Sequence, residues 1–300
     1  MHLSHFKKKN ENFKTVNMEG VLFLINDTND ELGQHYDNKI FTNPDILYNT
    51  IYTRTKELNE KNIGYIFAVV PDKSVLMYNH ISKNMSGKLQ REHVKKILLL
   101  PSAVDGLKRI NELAIKYKCH TCFVNDTHPN LLSQYGVYHS IMDCIGIEPI
   151  KYNISFVDNI VGDLEQTVNN GERKQVLTSW KYPVFDINPK LFNNYQIHVP
   201  SWKLVNISII ELFHNRHTYI DVYINNNADN DFSILIFHDS NVTVPDPRNG
   251  NYHPVKLLYS AHYKYTYFHW YKYDSSIVSR IKPNLVIEIT AERFLNGYRC

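Results

Sequence analysis

Short runs of consecutive apolar residues constrain the fold of this chain more than any other sequence feature. A strand that is apolar at every position is buried on both faces, as in a parallel sheet covered by helices on each side. Stretches with helical spacing fall between the runs, and this alternation favours a three-layer α/β/α domain with a mainly parallel sheet. The predicted strands are residues 21–25, 65–70, 119–124, 233–237, 265–270 and 285–289, and the predicted helices are residues 44–62, 102–118, 131–145, 254–262 and 274–281.

The middle of the chain departs from this alternation. Asparagine clusters, such as Asn169-Asn170-Gly171 and Asn225-Asn226-Asn227, separate short β-like runs there. Asparagine and glycine favour turns because both tolerate the backbone conformations that turns require. We therefore expect one domain over residues 19–300, with a β-rich insertion at about residues 148–231 and a polar N-terminal tail over residues 1–18.

Charge and hydropathy argue against nucleic-acid binding and against a transmembrane segment. The 33 basic and 30 acidic residues give a net charge of +3, and the one basic cluster, Lys7-Lys8-Lys9, is short and terminal. Nucleic-acid binding needs clustered basic residues, so we expect no nucleic-acid partner. No apolar stretch reaches 18 residues, so we expect no transmembrane segment. The first 20 residues lack the apolar core of a signal peptide, which favours a cytoplasmic location or a trimmed N-terminus.

The four cysteines predict neither a metal site nor a disulfide scaffold. Cys119 and Cys122 have the C-x-x-C spacing of zinc or redox sites, but no second pair follows them. A structural zinc site needs four ligands, so ordinary packing is the favoured interpretation and we expect no bound metal. The remaining cysteines, Cys144 and Cys300, are isolated in the sequence.

A serine follows one of the predicted strands directly. The run at residues 233–237 leads into His238-Asp239-Ser240-Asn241. Open α/β sheets place their active sites at the carboxyl ends of strands, so Ser240 is a candidate nucleophile. Its backbone N–H, with that of Asn241, is a candidate donor to an oxyanion. The alternative interpretation is a simple turn with an Asp/Ser cap.

A histidine and an aspartate follow another predicted strand. Asp126 and His128 come just after residues 119–124. A serine hydroxyl is a poor nucleophile at neutral pH, and it needs an imidazole to accept its proton and a carboxylate to orient that imidazole. If both strands belong to one parallel sheet, their ends meet. The pattern then predicts a triad of Ser240, His128 and Asp126.

These motifs and their order resemble the SGNH-hydrolase-like polysaccharide O-acetyltransferases of the alginate O-acetylation type, the AlgX/AlgJ group. Those proteins carry an early Asp-x-His motif and a late Gly-Asp-Ser-aromatic motif, which Asp126-Thr127-His128 and Asp239-Ser240 match. The resemblance covers about residues 19–295 and implies an SGNH-hydrolase-like fold. Further matches lie at residues 20–24, 69–73, 162–164, 282–288 and 292–295.

The chain departs from the family pattern beside both motifs. His238 stands where the family usually has glycine, and Asn241 stands where it has an aromatic residue. Glycine tolerates positive φ, which a bulky residue mostly does not, so His238 bears on the backbone of this turn. After the histidine, Pro129-Asn130 replaces Trp-Thr. None of these changes removes a member of the triad.

The resemblance implies a serine-dependent O-acetyltransferase that acts on polysaccharide hydroxyls through an acetyl-serine intermediate and needs no cofactor. It implies a polysaccharide or oligosaccharide acceptor, and an acetyl donor supplied through a membrane-bound acyltransferase. It also implies a periplasmic or extracytoplasmic location, whereas the lack of a signal peptide in the first 20 residues favours a cytoplasmic one. Two alternatives remain open. One is a carbohydrate O-acetylesterase with the same triad, and the other is a non-catalytic carbohydrate-binding or assembly protein.

Three charged residues within the matching segments have local patterns that predict structural roles. Lys73 follows Pro71-Asp72 at the end of a predicted strand, which is typical of a turn. Glu292 and Arg293 follow the last predicted strand, where we expect them to cap or pair at a terminal helix.

Overall fold

The structure is a computed structural model. It describes residues 15–25, 29–37, 39–40, 42–84, 87–158, 162–166, 181–186, 195–196, 220–225, 227–228, 231–243, 253–270 and 272–298. The strands are β1 (Thr15–Met18), β2 (Val21–Leu24), β3 (Gly64–Val70), β4 (Ala103–Asp105), β5 (Asn153–Asp158), β6 (Lys181–Asp186), β7 (Tyr195–Gln196), β8 (Ile220–Asn225), β9 (Ser233–His238), β10 (Tyr265–Trp270) and β11 (Leu285–Ala291). The helices are α1 (Glu31–Tyr36), α2 (Pro44–Asn59), α3 (Lys73–Leu76), α4 (Tyr78–Asn84), α5 (Glu92–Ile97), α6 (Leu107–Tyr117), α7 (Leu131–Ile145), α8 (Pro254–Ser260) and α9 (Ser275–Ile281).

A seven-stranded sheet of order β4-β3-β11-β9-β10-β8-β7 forms the centre of the molecule. The five strands from β4 to β10 are parallel, whereas at the other edge β8 is antiparallel to β10 and β7 is antiparallel to β8. In the middle of the sheet, Ile287 of β11 lies beside Ile66 of β3 and Ile236 of β9. This topology confirms the predicted mainly parallel sheet.

Helices cover both faces of the sheet. On one face, alternate residues of the central strands, such as Ile66 and Ile236, pack with α6, α7 and α8. On the other face, the intervening residues, such as Phe67 and Leu235, pack with α2, α5 and α9. Both faces are therefore apolar, which explains why these strands are apolar at consecutive positions. The three-layer α/β/α architecture is confirmed.

The predicted strand at residues 119–124 is wrong. The segment is irregular apart from a single bridge between Cys122 and Pro129, and β4, which the sequence did not reveal, pairs with β3 instead. Burial in the core explains the apolar pattern of residues 122–124. The backbone of this segment contacts β2, because Val124 O accepts a hydrogen bond from Leu22 N (2.7 Å). A buried irregular segment and a buried strand have the same apolar pattern, so periodicity does not separate them.

Two other predicted elements are confirmed in part. β2 forms within residues 21–25, but it pairs with β1 in a separate antiparallel hairpin. The helix predicted at 102–118 begins at Leu107, because β4 occupies the start of that range. None of the described helices is long and apolar enough to cross a membrane.

The domain boundaries stay predictions. Of the tail at residues 1–18, positions 1–14 lie outside the described residues. Within the proposed insertion at 148–231, β5 and β6 form an antiparallel pair, while β8 joins the central sheet beside β10.

Close packing of α6 against α7 depends on Gly136. A Cβ atom built there would lie 2.6 Å from Ile110 Cγ1 and 2.9 Å from Ile110 Cα, which is closer than real Cβ atoms approach. The α7 helix begins after Asn130, whose side chain accepts from Ser133 N (3.3 Å). The helix can relieve the clash only by moving away from its neighbour.

We therefore expect Gly136→Ala to lower the free energy of unfolding by about 1–3 kcal/mol through overpacking. Gly297→Ala is the matched control, since nothing lies within 4 Å of a Cβ atom at that position. Urea unfolding of both variants measures the difference. Equal stability of the two variants would contradict the packing account.

Candidate active site

The carboxyl ends of the parallel strands bring several polar segments to one edge of the sheet. Asp239-Ser240 follows β9, Asp72-Lys73 follows β3, and Glu292-Arg293 follows β11. Asp105 is the last residue of β4. Ligands of open α/β sheets bind at this edge, so it is the candidate site.

A set of buried and partly buried charged residues ties these strand ends together. Arg91 donates to both carboxylate oxygens of Glu292 (2.7–3.0 Å) and to both oxygens of Asp105 (2.6 and 3.1 Å). Arg293 Nη1 donates to Asp72 Oδ1 (2.9 Å). We call this set the carboxyl-edge network; its members are Arg91, Asp105, Glu292, Arg293, Asp72 and His35. A buried charge is tolerated when opposite charges and hydrogen bonds compensate it, as they do here.

His35 is the one network member that lies on α1. Its Nε2 lies 3.0 Å from Asp72 Oδ2, and its Nδ1 lies 3.1 Å from the carbonyl oxygen of Gln90. Both partners accept hydrogen bonds, so the ring carries both protons. Burial opposes that charge, but the hydrogen bond to Asp72 and the nearby charge of Glu292 outweigh it and raise the pKa of His35 to about 9.

The turn that carries Ser240 is fixed by the residue before it. Asp239 Oδ1 accepts from the backbone N–H (2.9 Å) and the side-chain amide (2.8 Å) of Asn241, and Asp239 Oδ2 accepts from Ala291 N (2.6 Å). Burial raises the pKa of Asp239. Ser240 itself is half-buried and begins the 3₁₀ turn Ser240–Thr243. The turn is thus bound directly to the end of β11.

These bonds bear on the two candidate oxyanion donors. The Asn241 N–H already donates to Asp239, so it is not free to bind an oxyanion in this conformation. The N–H of Ser240 stays the proposed donor. His238, where the family has glycine, does not have a positive φ, so the turn does not require glycine's conformational freedom. Its Nδ1 donates to Asp239 O (2.9 Å), and burial lowers its pKa to about 3, which keeps the ring neutral.

Asp126 and His128 form a hydrogen-bonded pair. His128 Nδ1 donates to Asp126 Oδ1 (2.6 Å), and the backbone N–H of His128 donates to the same oxygen (2.8 Å). The carboxylate can only accept, so Nδ1 carries a proton, and in the neutral ring Nε2 is the nitrogen that can accept one. Burial raises the pKa of Asp126, but the hydrogen bonds and charge of His128 outweigh it, so the pKa is lowered and Asp126 is ionised.

A third residue, Asp163, positions this pair. Its backbone N–H donates to Asp126 Oδ2 (3.1 Å), and its carboxylate accepts from Thr127 N (2.8 Å) and Thr127 Oγ1 (2.6 Å). Close approach of the two segments requires Gly162, because a Cβ atom there would lie 2.0 Å from the carbonyl oxygen of Asn125. The Gly162-Asp163-Leu164 motif was a family match without an assigned role, and the structure gives it one.

The structure joins two members of the predicted triad. Asp126 and His128 are hydrogen-bonded, whereas no hydrogen bond links Ser240 Oγ to His128. Within the described part of the chain, neither Ser240 Oγ nor His128 Nε2 has a hydrogen-bond partner, so both are available to a substrate. Catalytic hydrogen bonds are often long in unliganded enzymes and shorten in the substrate complex. The complete triad remains a proposal.

Lys73 connects the end of β3 to the segment that carries the Asp126–His128 pair. It lies in α3, directly after Asp72 of the carboxyl-edge network, and its Nζ donates to the carbonyl oxygens of Val124 (3.1 Å) and Asp126 (2.9 Å). The sequence pattern around Lys73 predicted a turn residue and gave no indication of this contact. His35 was missed as well, because it is one of 15 histidines and no motif surrounds it.

The pairing of Asp126 with His128 argues against a metal among the site residues. Donor atoms of Asp126, His128 and Asp163 lie within 4.8 Å of one another. However, a tetrahedral metal with bonds of about 2 Å needs its donors more than about 3 Å apart, and the Nδ1–Oδ1 distance is that of a hydrogen bond (2.6 Å). For Cys119 and Cys122, burial raises the thiol pKa to about 11 and about 12.

A cavity of about 190 Å³ lies next to the serine turn. Asp239 and Thr290 form part of its wall, with Lys272, Phe294 and Tyr298 on other sides. Apolar rings combined with a few polar groups are typical of small-molecule sites.

Comparison with solved structures identifies several similar folds. PatB1 of Bacillus cereus superposes with a TM-score of 0.61 at 15% identity, covering 95% of this chain and 97% of that chain. The same protein with a sulfonyl adduct gives 0.63 at 14% identity, covering 96% and 97%. A DHHW family protein from Eubacterium siraeum gives 0.56 at 15% identity, and the O-acetyltransferase domain of Pseudomonas putida AlgJ gives 0.53 at 11% identity, each covering 95% of this chain and 94% of that chain.

The chain shares the fold of PatB1 and of the AlgJ O-acetyltransferase domain. This confirms the predicted fold class, and identities of 11–15% extend the likeness to the fold and no further. No protein-family model matches the sequence, and no curated protein matches it either.

The carboxyl-edge network predicts a pH dependence of stability. The pKa of His35 is about 9 in the folded protein against an ordinary value near 6.5, so its contribution is complete below about pH 6.5 and is lost as the pH rises through 9. A shift of this size corresponds to about 3 kcal/mol. We expect the stability advantage of the wild type over His35→Gln to shrink by about that amount between pH 6 and pH 10.

Urea unfolding at a series of pH values measures this difference. His120→Gln, at an exposed position, is the control and should differ from the wild type by an amount that does not follow this pH course. If the stability curves of the wild type and His35→Gln run parallel from pH 6 to pH 10, His35 is not charged in the folded state.

Proposed function

We propose that this chain is a serine-dependent O-acetyltransferase that acts on polysaccharide or oligosaccharide hydroxyls through an acetyl-Ser240 intermediate. The observation that carries the proposal is the Asp126–His128 pair. Its hydrogen bond of 2.6 Å uses Nδ1, and Lys73, which follows β3 at the carboxyl edge of the sheet, donates to the Asp126 carbonyl; Ser240 follows β9 at that edge. No cofactor is needed, because the acetyl group travels on the serine oxygen.

Acylation uses the pair as a general base. Ser240 Oγ attacks the carbonyl carbon of an acetyl ester while His128 Nε2 accepts the hydroxyl proton. Asp126 holds the ring in the required tautomer and stabilises the imidazolium that forms. The oxyanion of the tetrahedral intermediate accepts a hydrogen bond from the Ser240 N–H. When the intermediate collapses, the carbon–oxygen bond of the donor breaks and the departing alcohol takes the proton from His128.

Transfer to the acceptor reverses these steps. A sugar hydroxyl attacks the carbonyl carbon of acetyl-Ser240, and His128 Nε2 takes its proton. Collapse of the second intermediate breaks the ester bond to Ser240, whose Oγ recovers the proton from His128. The cavity beside Asp239 is the proposed position of the acceptor sugar.

The comparisons support the kind of reaction. The P. putida AlgJ structure is an O-acetyltransferase domain, and its fold matches almost the whole of this chain. PatB1 is also known with a sulfonyl adduct, and sulfonyl reagents modify activated nucleophiles such as the proposed Ser240. A membrane-bound acyltransferase as the source of the acetyl group remains part of the proposal.

Replacing the nucleophile tests the proposal. Ser240→Ala removes the hydroxyl and little volume, so the fold should persist while turnover of an activated acetyl ester falls by about 10³-fold or more. His128→Ala should lose about as much activity, because the two residues act together. Asp126→Ala should lose less, since the imidazole keeps its basic nitrogen. The rate of ester hydrolysis, monitored as the release of acetate, is measured for all three variants.

Ser82→Ala is the matched control, because Ser82 is exposed on α4 and bonds only to the carbonyl of Asn79 in the described structure. It should retain wild-type turnover. Equal acetate release by the wild type and Ser240→Ala would overturn the proposal and favour a carbohydrate-binding or assembly protein.

The acceptor is tested separately from the nucleophile. With an active wild type, an added oligosaccharide should gain about 42 Da per acetyl group transferred, as expected if a sugar hydroxyl competes with water for the acyl-enzyme. Mass spectrometry of the oligosaccharide measures the gain, with Ser240→Ala as the blank. If no added oligosaccharide lowers the release of acetate, the result would contradict the transferase and support an O-acetylesterase.

A further inference from the structure

Lys73 is a buried lysine whose ammonium group contacts backbone carbonyls rather than carboxylates. It is 2% exposed, and its Nζ donates to Val124 O (3.1 Å) and Asp126 O (2.9 Å). Within the described part of the chain, no acidic side chain forms an ion pair with it. The ring of Phe23 lies 5.4 Å from Nζ. A charged group is rarely buried without an ion pair, so this arrangement calls for an explanation.

Among the described residues, single hydrogen bonds rather than a strand pairing join the segment that Lys73 contacts to other elements. Residues 119–130 are irregular, and the bridge between Cys122 and Pro129 joins two residues of the segment itself. Leu22 N donates to Val124 O from β2, and Leu164 N donates to Asn125 O. Lys73 links this segment to the end of β3, a strand of the central sheet.

The position of Lys73 also makes it an electrostatic neighbour of the proposed general base. The Asp126 carbonyl that it contacts belongs to the residue whose carboxylate holds His128. A positive charge there favours the ionised carboxylate and disfavours a second positive charge on the imidazole ring. The titratable groups that act on Lys73 or respond to its charge are Glu31 on α1, His80 on α4, Cys122 and Asp126 in the 119–130 segment, and Asp163.

We propose that Lys73 is a positioning residue for the Asp126–His128 pair, which it fixes to β3 while its charge disfavours protonation of the imidazole. This inference rests on the proposed function in so far as the pair serves catalysis. Lys73 does not touch the reacting atoms, and it acts through the backbone of Asp126 and through its charge.

Burial of the ammonium has a consequence of its own. It lowers the pKa of Lys73 to about 8, although Cys122 and Asp126 act in the opposite direction. The charge is therefore present at neutral pH and is lost above about pH 8. Activity that depends on this charge should decline over the same range.

The test is the titration of the His128 ring, followed by NMR of isotope-labelled histidine and assigned by the signal that His128→Gln removes. In Lys73→Gln, which keeps a hydrogen-bond donor but no charge, the midpoint should move to higher pH by about half a unit or more. Lys73→Arg keeps the charge and should stay close to the wild type. On the activated ester, the acid limb of kcat/KM should shift in the same direction as the NMR midpoint.

Lys256→Met is the matched control. Lys256 is also buried, but it pairs with Asp221 of β8, and β8 lies four strands from β3 in the sheet. The charge of Lys256 acts on His238 and is compensated by Asp221, so its removal should move the His128 midpoint less than the removal of Lys73 does. A further variant, Lys73→Met, gives the same readout if Lys73→Gln does not fold.

An unmoved His128 midpoint in folded Lys73→Gln or Lys73→Met would overturn the inference. So would an equal shift in Lys256→Met, because the effect would then be general to loss of a buried charge. The NMR readout does not need turnover. A wild type that lacks Ser240-dependent activity would therefore refute the proposed function while the positioning by Lys73 is still decided by the titration.

Discussion

Compensation of buried charge at the carboxyl edge of the sheet is the constraint on which the rest of this structure depends. Arg91 and Arg293 each stand between strand ends, and their partners Asp105, Glu292 and Asp72 are at most slightly exposed. Removing one partner would leave a buried charge uncompensated, at a cost of about 3–5 kcal/mol. The network therefore holds the ends of β3, β4 and β11 in a fixed relation, and the site is built on those ends.

Each half of the proposed site is attached to that edge by a different bond. The serine turn is tied to β11 because Asp239 accepts a hydrogen bond from Ala291 N. The segment with the Asp–His pair is tied to β3 because Lys73 donates to the carbonyl of Asp126. β3 and β11 are neighbours in the sheet, so two irregular segments that are far apart in sequence are fixed to adjacent strands. Rigid attachment of this kind favours a preorganised site.

The sequence predicted the layers and the edge of the sheet because those depend on apolar pattern alone. The helix at 131–145 was predicted at its observed bounds, and the Ser240 strand differs by a single residue. The interpretation of 119–124 as a strand failed because burial, not β pairing, makes that segment apolar. The donor role of Asn241 failed in this conformation because a local bond to Asp239 already uses its N–H. The partners of His35 and Lys73 are distant in sequence, and a single sequence does not reveal such pairs.

The central claim is that Ser240 becomes acetylated by way of the Asp126–His128 pair. Rapid quenching of the wild type during turnover of an activated acetyl ester, followed by proteolysis and mass spectrometry, tests it most directly. The account predicts a gain of about 42 Da on the peptide that contains Ser240, absent from Ser240→Ala and strongly reduced in His128→Ala. Acetylation at another residue, or turnover with no acetylated peptide, would contradict it.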